Sequence, residues 1–418
     1  MSKIELIDRP LYLRRVRPLI GKDLIKVLIG QRRVGKSCLL LQLRDEIKAN
    51  APEAQVIYVN KELNQYASIQ DHQDLLHYVE AERRTGEPLA LLIDEVQDID
   101  GFEHALRSLQ ASGGTDIYVT GSNANLLSGE LATHLSGRYV EIKVYGLSYR
   151  EFLRFHDLER GQEALSLYLQ FGGLPYLRHL PLKEEVVFDY LRNILDAVLL
   201  KDVVARFQIR NVDFLQRLTR YIADNTGSLV SARRISNYLK SQQLNVSHAL
   251  VLDYLSHLCA AVLIFRVRRF DVVGKRHFEV GEKYYYEDLG LRHALIGYRS
   301  TDINRILENV VYMHLRLAGY TVTIGQLGDR EIDFVGESGG ERLYVQVAYQ
   351  ITDDTVRDRE FGNLLAIADN HPKLVVSMDP LAGGNYEGIP HLALEEFLYR
   401  YSAPHLLPGT ESETTNRH

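Results

Sequence analysis

The sequence predicts an α/β protein whose N-terminal part is built on a parallel β-sheet. Apolar runs at residues 27–29, 89–93 and 117–120 are each followed directly by polar or glycine residues. Another apolar run, 55–59, lies between the first two, and stretches with helical periodicity separate the runs. This alternation favours a sheet covered on both faces, with a ligand site at the carboxyl ends of its strands.

The first strand leads into a phosphate-binding loop. Residues 30–37 match the pattern GxxxxGK[ST], and an apolar helix start follows. Glycines permit backbone conformations in which successive N–H groups surround a phosphate, and the positive end of the next helix points at the same anion. The pattern predicts that ATP is bound by a run of nine residues: Gly30, Gln31, Arg32, Arg33, Val34, Gly35, Lys36, Ser37 and Cys38.

Lys36, together with two acids that follow the apolar run 89–93, predicts ATP hydrolysis as well as ATP binding. Lys36 can reach the β- and γ-phosphates as a point charge. The Ser37 hydroxyl can ligate Mg²⁺ directly, and Asp94 can hold the same ion through water. Glu95 is placed to orient and deprotonate the attacking water.

Two further residues are candidates for catalysis. Asn123, or its neighbour Ser122, follows the 117–120 strand and could sense the γ-phosphate, although Thr-Gly-Ser-Asn is also ordinary turn chemistry. Arg138 follows a glycine and could act as an arginine finger on the nucleotide of a neighbouring subunit. A surface or structural role for Arg138 is the alternative.

Composition excludes several classes of protein. The 418 residues include 49 Lys+Arg and 55 Asp+Glu, so a net charge of −6 argues against a polycation that coats nucleic acid. Cys38 and Cys259 lie in apolar helical stretches and predict buried thiols in a reducing compartment. The histidines show no ligand spacing, and we see neither a secretion signal nor a membrane span. We therefore expect a cytoplasmic protein.

Five segments together resemble the AAA-type P-loop ATPases of bacteria and archaea that carry an uncharacterised C-terminal domain. They are IGQRRVGKS, LLIDEVQ, VTGSNANLLSGELATHLSGR, YGLSYREFL and the Gly-Gly-Leu-Pro of residues 172–175. The resemblance covers roughly residues 10–400. It implies the nucleotide roles already given to Lys36, Ser37, Asp94 and Glu95, it favours a role for Arg138, and we expect a homo-oligomer.

The predicted organisation has five parts. Residues 1–153 form the P-loop ATPase core, 154–228 a helical lid, 229–300 a winged helix, 301–401 a restriction-endonuclease-like α/β domain, and 402–418 a disordered tail. The helical part includes one long helix over residues 191–207, which contains Lys201 and Asp202.

The predicted winged helix leaves two partners open. Its cations lie in the first helix and the hairpin, whereas the second helix, 247–261, has no Lys or Arg. Sequence reading by that helix is therefore not expected, because bidentate Arg or Lys contacts to guanine are the commonest specific ones. The module is predicted to make non-specific DNA backbone contacts through the hairpin or to bind a protein.

The last domain resembles a nuclease that has lost part of its site. Glu308 and Asp333 fit the two acidic positions of the restriction-endonuclease-like fold, whereas Gln346 and Ala348 stand where that fold has a Glu and a Lys. Without them the metal loses a ligand and the water loses its activating charge. The sequence thus favours an ATP-hydrolysing motor or switch over two alternatives, a nucleotide-gated DNA- or protein-binding switch with little turnover and an ATP-driven nuclease.

Overall fold

The structure is a computed structural model that describes most of the chain and forms two compact units. The described residues are 6–123, 135, 137–241, 246–274, 276–351, 353–379 and 382–402, with only the backbone of 276–280. The first unit comprises Met1–Gly146, Val198–Arg206 and Cys259–Val262. The second unit comprises Leu147–Ala197, Phe207–Leu258 and Leu263–His418.

A five-stranded parallel sheet forms the centre of the first unit, as the sequence predicts. The strands are β1 (Ile25–Ile29), β2 (Gln55–Asn60), β3 (Leu89–Asp94), β4 (Thr115–Gly121) and β5 (Tyr139–Lys143). Their order in the sheet is β2-β3-β4-β1-β5, so β4 lies between β3 and β1. The carboxyl ends of β3, β4 and β1 are therefore neighbours at one edge of the sheet.

Helices connect these strands and cover the sheet. They are α1 (Pro10–Val16), α2 (Lys36–Asn50), α3 (His72–Glu82) and α4 (Phe102–Ser112). Helix α3 begins where it does because Asp71 and Asp74 form a reciprocal capping box, which satisfies amides that the first turn leaves without partners. Strands β1 and β3 are buried along their whole length, which accounts for the apolar runs at residues 27–29 and 89–93.

The second unit contains most of the helices. They are α5 (Tyr149–His156), α6 (Gln162–Phe171), α7 (Glu184–Ala197), α8 (Val212–Asp224), α9 (Ala232–Ser241), α10 (His248–Ala260), α11 (Leu289–Ile296), α12 (Ile303–Leu317), α13 (Asp354–Leu365) and α14 (Leu394–Arg400). The predicted long helix over 191–207 consists of two helix types, because α7 ends at Ala197 and a π-helix, Val198–Ala205, follows directly. The chain changes its helix type at the residue where it passes from the second unit into the first.

Eight strands in the described part of the second unit form one mixed sheet. They are β6 (Ile264–Asp271), β7 (Arg276–Tyr286), β8 (Thr321–Leu327), β9 (Arg330–Ser338), β10 (Glu341–Ala348), β11 (Lys373–Ser377), β12 (Asn385–Tyr386) and β13 (Ile389–Ala393), in the order β12-β13-β11-β10-β9-β8-β6-β7. Helices α9 and α10 precede the β6-β7 hairpin, as a winged helix requires. However, β6 also pairs in parallel with β8, so the hairpin continues the sheet of the following segment. This pairing satisfies backbone groups that a free hairpin edge would leave exposed.

The described chain continues past the last helix as far as Ser402. Ser402, placed in a disordered tail, is buried, and its hydroxyl donates to the Leu398 carbonyl at 2.7 Å, which fixes it to the last helix. The rest of the predicted tail, 403–418, lies outside the described residues. Among the helices that the structure describes, none has the length and apolar character needed to cross a lipid bilayer.

Candidate functional site

The loop at residues 30–37 connects β1 to α2, and its backbone takes two left-handed conformations. Gly35 has φ +95° and Arg33 has φ +72°. The sequence assigns the same conformational role to Gly30, and this was wrong: Gly30 is required because the Val144 carbonyl oxygen would lie 2.0 Å from an added Cβ. Thus Gly35 permits the left-handed conformation of the loop, and Gly30 allows the Val144 backbone to approach closely. Arg33 has a left-handed backbone that is strained for a residue with a side chain.

Lys36 begins α2 and folds back over the loop. Its side chain is almost fully buried, and Nζ donates hydrogen bonds to the carbonyl oxygens of Gly30 and Gln31, both at 3.0 Å. Nζ also lies 3.9 Å from Glu95 Oε1. Burial lowers the pKa of Lys36, while the nearby Glu95 and Asp94 carboxylates oppose that shift. The ammonium is therefore held in the loop beside the two predicted catalytic acids.

Thr120, on the neighbouring strand β4, joins Asp94 to Glu95. Its hydroxyl donates to Asp94 Oδ1 and accepts the backbone N–H of Glu95 at 3.0 Å. Tyr58 donates to the other Asp94 oxygen at 3.4 Å. Sequence reasoning treated Thr120 only as part of a strand. The feature that could have identified it is its place at the end of β4, which pairs with the strand that ends in the two acids.

Glu95 itself has an unusual backbone. Its φ of +55° is uncommon for a residue with a side chain, and such conformations cluster at functional sites. The side chain is 6% exposed, and Gln97 donates a hydrogen bond to its Oε2. The Glu95 carboxylate is thus oriented by Gln97 on one oxygen, with the Lys36 ammonium near the other.

Ser122 and Asn123 follow β4 at the same edge of the sheet. Both side chains are buried, and the Ser122 hydroxyl lies 3.4 Å from Asp202 Oδ1. Because β4 lies between β1 and β3, these residues emerge between the phosphate loop and the two acids. The topology therefore brings them to the edge expected from the sequence, and their sensing role stays a prediction.

Arg138 lies at the amino-terminal end of the strands, opposite the phosphate loop. It precedes β5, which is parallel to β1 and pairs Tyr139 with Ile25, the first residue of β1. At about 3.3 Å per residue, the length of β1 puts roughly 16 Å between this end and the phosphate loop. The Arg138 side chain is exposed. Residues 124–134 and 136 of the preceding motif lie outside the described residues.

Arg32 of the phosphate loop makes an ion pair that the sequence did not reveal. Its Nε and Nη2 atoms donate to the two carboxylate oxygens of Asp202 at 3.1 and 3.0 Å. Asp202 belongs to the π-helix Val198–Ala205 and is 3% exposed. The only signal in the sequence was a Lys-Asp pair inside a predicted helix, far from the loop along the chain.

Arg9 supports the loop from the other side. Its guanidinium is buried and donates to the carbonyl oxygens of Val34, Tyr145 and Gly146 at 2.8, 3.0 and 3.0 Å. Arg9 also packs over the Tyr12 ring at 4.6 Å. It thereby ties the middle of the loop to the segment that follows β5. Sequence reasoning missed it, because an arginine before a short helix carries no distinctive pattern.

The two cysteines differ from their predicted environment. Cys38 is exposed and Cys259 is only partly buried. The prediction of buried thiols was wrong for Cys38, because it lies in the first turn of α2 directly after the loop, where the helix meets solvent.

The residues of the loop edge fit a Mg²⁺-bound triphosphate. The Gln31 side-chain amide is fully buried in the loop, and neither of its polar atoms has a hydrogen-bond partner among the described residues. Among all the residues that the structure describes, no three His, Cys, Asp or Glu side chains are grouped so that they could hold a metal ion. A magnesium ion here would therefore combine the Ser37 hydroxyl and the Asp94 carboxylate with phosphate oxygens, which is how Mg²⁺ is commonly bound with nucleotides.

The acids of the predicted nuclease-like domain lie around a lysine from another strand. Lys283 of β7 is 3.1 Å from Glu308 Oε2 and 2.8 Å from Glu331 Oε1. Asp333 is buried and accepts the Val347 N–H at 2.7 Å; burial and Glu308 raise its pKa, which Lys283 opposes. The Gln346 side chain accepts a 3.4 Å hydrogen bond from the Asp333 N–H. A nuclease-like identity stays a prediction.

Comparison with known proteins identifies the first unit. Residues 22–153 match the AAA domain family, and residues 162–302 match a domain of unknown function, DUF8612. An uncharacterized protein of Haemophilus influenzae is 38% identical over 385 residues, which cover 90% of this chain and 94% of the relative. The chain belongs to the same family as this protein. The present chain is an AAA-type P-loop protein.

Two weaker similarities are also found. An uncharacterized protein of Methanocaldococcus jannaschii is 27% identical over 376 residues, covering 86% of this chain and 81% of the relative. The solved structure of a Walker-type ATPase of Pyrococcus abyssi shares 17% identity with a TM-score of 0.48, and covers 69% of this chain and 95% of its own. The AAA domain contains Lys36, Asp94, Glu95, Asn123 and Arg138, whereas Asp202 lies in the stretch that matches the domain of unknown function.

Proposed function

We propose that the protein is a Mg²⁺-dependent ATPase that couples its nucleotide state to a partner through the second unit. The observation that carries this proposal is the meeting of Lys36, Asp94 and Glu95 at one edge of the sheet, with Thr120 bonded to both acids. A buried ammonium beside a pair of oriented carboxylates matches the needs of phosphoanhydride hydrolysis: charge stabilisation, metal binding and a base.

Each residue has a distinct task in this proposal. The backbone N–H groups of residues 30–37 and the Lys36 ammonium bind the phosphates, and the buried Gln31 amide offers an additional polar contact. Ser37 and Asp94 would hold the magnesium ion, which neutralises charge on the phosphates when it is bound. The Glu95 carboxylate, oriented by Gln97, accepts the proton of the attacking water. Asn123 is proposed to contact the γ-phosphate.

Arg138 is proposed to complete the site of a neighbouring subunit. Within one chain the length of β1 separates Arg138 from the phosphate loop, which is more than an arginine side chain can span. Its exposed guanidinium fits an arginine finger that acts in a homo-oligomer and stabilises charge in the transition state. This part of the proposal requires self-association, which light scattering with and without a non-hydrolysable ATP analogue measures.

The test of ATP hydrolysis compares wild type with Lys36→Ala and Glu95→Gln in a phosphate-release assay. We expect Lys36→Ala to lose ATP binding in calorimetry. Glu95→Gln should keep ATP binding while turnover falls about 100-fold or more, as loss of a general base commonly does. Hydrolysis that is unaffected by both substitutions would rule out this site.

A nucleotide-gated DNA-binding switch with little turnover is the second candidate. Arg233 and Arg234 of α9 and Arg268 of β6 are exposed, whereas Arg266 lies 3.3 Å from Glu282. Exposed arginines on a helix and an adjacent hairpin suit contacts to phosphate groups, which are independent of sequence and weaken with salt.

Fluorescence anisotropy of a labelled duplex at several salt concentrations, with ATPγS or ADP, tests this candidate. Arg233→Ala/Arg234→Ala should lower affinity and reduce the salt dependence by about two counter-ions. Binding that ignores both the nucleotide and the substitution favours a protein partner instead.

A further inference from the structure

The Asp202 carboxylate binds two groups at the phosphate-loop edge of the first unit. Both of its oxygens accept N–H groups of Arg32, and the Ser122 hydroxyl lies 3.4 Å from Oδ1. Arg32 is a loop residue, and Ser122 adjoins the proposed γ-phosphate sensor Asn123. Asp202 therefore bonds to groups on both sides of the place where a terminal phosphate is proposed to bind.

At this edge, carboxylates lie beside the cations Arg32 and Lys36. Asp202 raises the pKa of Arg32 through the ion pair, and its charge also acts on the buried Lys36. The Glu62 carboxylate is a weaker second partner, at 3.8 Å from Arg32 Nη1 and largely exposed. Asp202 thus supplies part of the negative charge that a triphosphate would bring to the same cations.

The path of the chain connects this contact to the second unit. Asp202 lies in the π-helix Val198–Ala205, which belongs to the first unit. The residues on either side, up to Ala197 and from Phe207, belong to the second unit. A π-helix is rare, costs stability relative to an α-helix and is frequent at functional sites. The segment is therefore held in the first unit partly by its ion pair with the loop.

We propose that Asp202 is a positioning residue that holds Arg32 and Ser122 until the terminal phosphate of ATP displaces it. This inference rests on the proposed ATPase function and adds its regulation. The displaced residues, Val198–Arg206, then transmit the difference between ATP and ADP to the segments of the second unit that flank them.

Two physical reasons support the exchange. The Arg32 Nε and Nη2 N–H groups that bond to Asp202 cannot make the same bidentate pair with a phosphate at the same time. A terminal phosphate carries more negative charge than a carboxylate and offers more acceptor oxygens, whereas ADP lacks that phosphate. Displacement should therefore follow ATP and not ADP. A purely structural ion pair, by contrast, would stay in place with either nucleotide.

The test measures affinity for ATPγS and for ADP by calorimetry, using Asp202→Asn and the exposed Asp196→Asn of α7 as a matched control. Asp202→Asn frees Arg32 for the phosphate, so it should bind ATPγS about tenfold more tightly while its ADP affinity changes less than about twofold. Arg32→Gln should lose the preference for ATPγS over ADP. Asp196→Asn should match wild type. Equal changes for both nucleotides in Asp202→Asn overturn the proposal.

Hydrogen exchange in the wild-type protein provides an independent measurement that does not need a folded variant. Peptides covering residues 198–206 should exchange faster with ATPγS than with ADP or without nucleotide. Asp202→Asn should show the fast exchange without any nucleotide. Exchange that is the same in all three wild-type states overturns the proposal.

The two proposals fail in different ways. If Lys36→Ala leaves nucleotide binding intact, the proposed ATP site itself is wrong. If Lys36→Ala abolishes binding and the exchange of residues 198–206 ignores the nucleotide, the ATP site stands and only the role of Asp202 is wrong.

Discussion

The Lys283 ammonium lies 3.1 Å from Glu308 Oε2, so a lysine of β7 faces an acid of α12. Glu331 is also within ion-pair distance, at 2.8 Å. The sequence suggested that this region lacks a lysine, because Ala348 stands at the expected position. The positive charge instead comes from a strand that precedes the acids in the chain, and the carboxylates have a counter-ion within the protein.

Removing that counter-ion should destabilise the second unit. Lys283→Met keeps the length of the side chain but removes the ammonium beside Glu308, Glu331 and the buried Asp333. Loss of one partner of a buried ion pair typically costs about 3–5 kcal/mol. We expect a loss of this order in the free energy of unfolding, measured by urea denaturation. Far-UV circular dichroism should monitor the unfolding, because the chain has no Trp for fluorescence detection.

An exposed ion pair of the same unit provides the control. Arg217 and Asp213 are 3.0 Å apart with both side chains largely exposed, so Arg217→Met should cost less than about 1 kcal/mol. Adding Glu308→Gln to Lys283→Met should recover part of the loss, because it removes one uncompensated charge. A cost for Lys283→Met no larger than that for Arg217→Met contradicts the buried-charge account.

Thr120→Val should lower turnover more than nucleotide binding. The substitution keeps the shape of the side chain and removes the hydroxyl that bonds to Asp94 and Glu95. Loss of such positioning should reduce the rate of ATP hydrolysis by about tenfold or more, with a smaller change in affinity for ADP. The control is Thr115→Val at the start of the same strand, where the hydroxyl has no hydrogen-bond partner among the described residues. Equal turnover in the two variants would show that the hydroxyl is not needed.

Mixing inactive variants tests whether Arg138 acts between subunits. Arg138→Ala and Lys36→Ala should each have little ATPase activity. In mixed oligomers an intact loop of the first variant can meet an intact arginine of the second, so part of the activity should return. A mixture of Lys36→Ala and Glu95→Gln should stay inactive, because both changes affect the same site. Failure of the first mixture in oligomers shown to exchange subunits argues against a finger in trans.

Asp288 should make the stability of the second unit depend on pH. Its carboxylate is buried and accepts the Gly173 N–H at 2.7 Å and the Leu291 N–H at 3.0 Å, and burial raises its pKa to about 6. Because the folded protein holds this proton more tightly than the unfolded chain, the contribution is present at low pH and is lost as pH rises towards and through 6.

Asp288→Asn removes that titration. The free energy of unfolding of wild type relative to Asp288→Asn should fall by on the order of 2–3 kcal/mol between pH 4 and pH 7. Denaturant midpoints at several pH values measure this difference. A difference that stays constant with pH would show that Asp288 does not titrate as its burial implies.

Local sequence patterns were sufficient for the parallel sheet of the first unit. The phosphate loop, the two acids after β3 and the alternation of strands and helices predicted a parallel sheet with Lys36, Asp94 and Glu95 at one edge, and the topology confirms that sheet. The prediction succeeded because each feature lies within a few residues of the strand that positions it. The conformational reason given for Gly30 failed, because the close contact comes from Val144, far away in the chain.

By itself, the sequence determined where the strands end and which charged side chains stand there, since strand periodicity and loop chemistry are local properties. Only the tertiary structure decided which distant residues complete those sites: Arg9 at Val34, Asp202 at Arg32, and Lys283 at Glu308. The reason is physical. A hydrogen bond or an ion pair needs two groups within a few ångströms in space, and nothing in the spacing along the chain records a contact that folding makes across 25 or 170 residues.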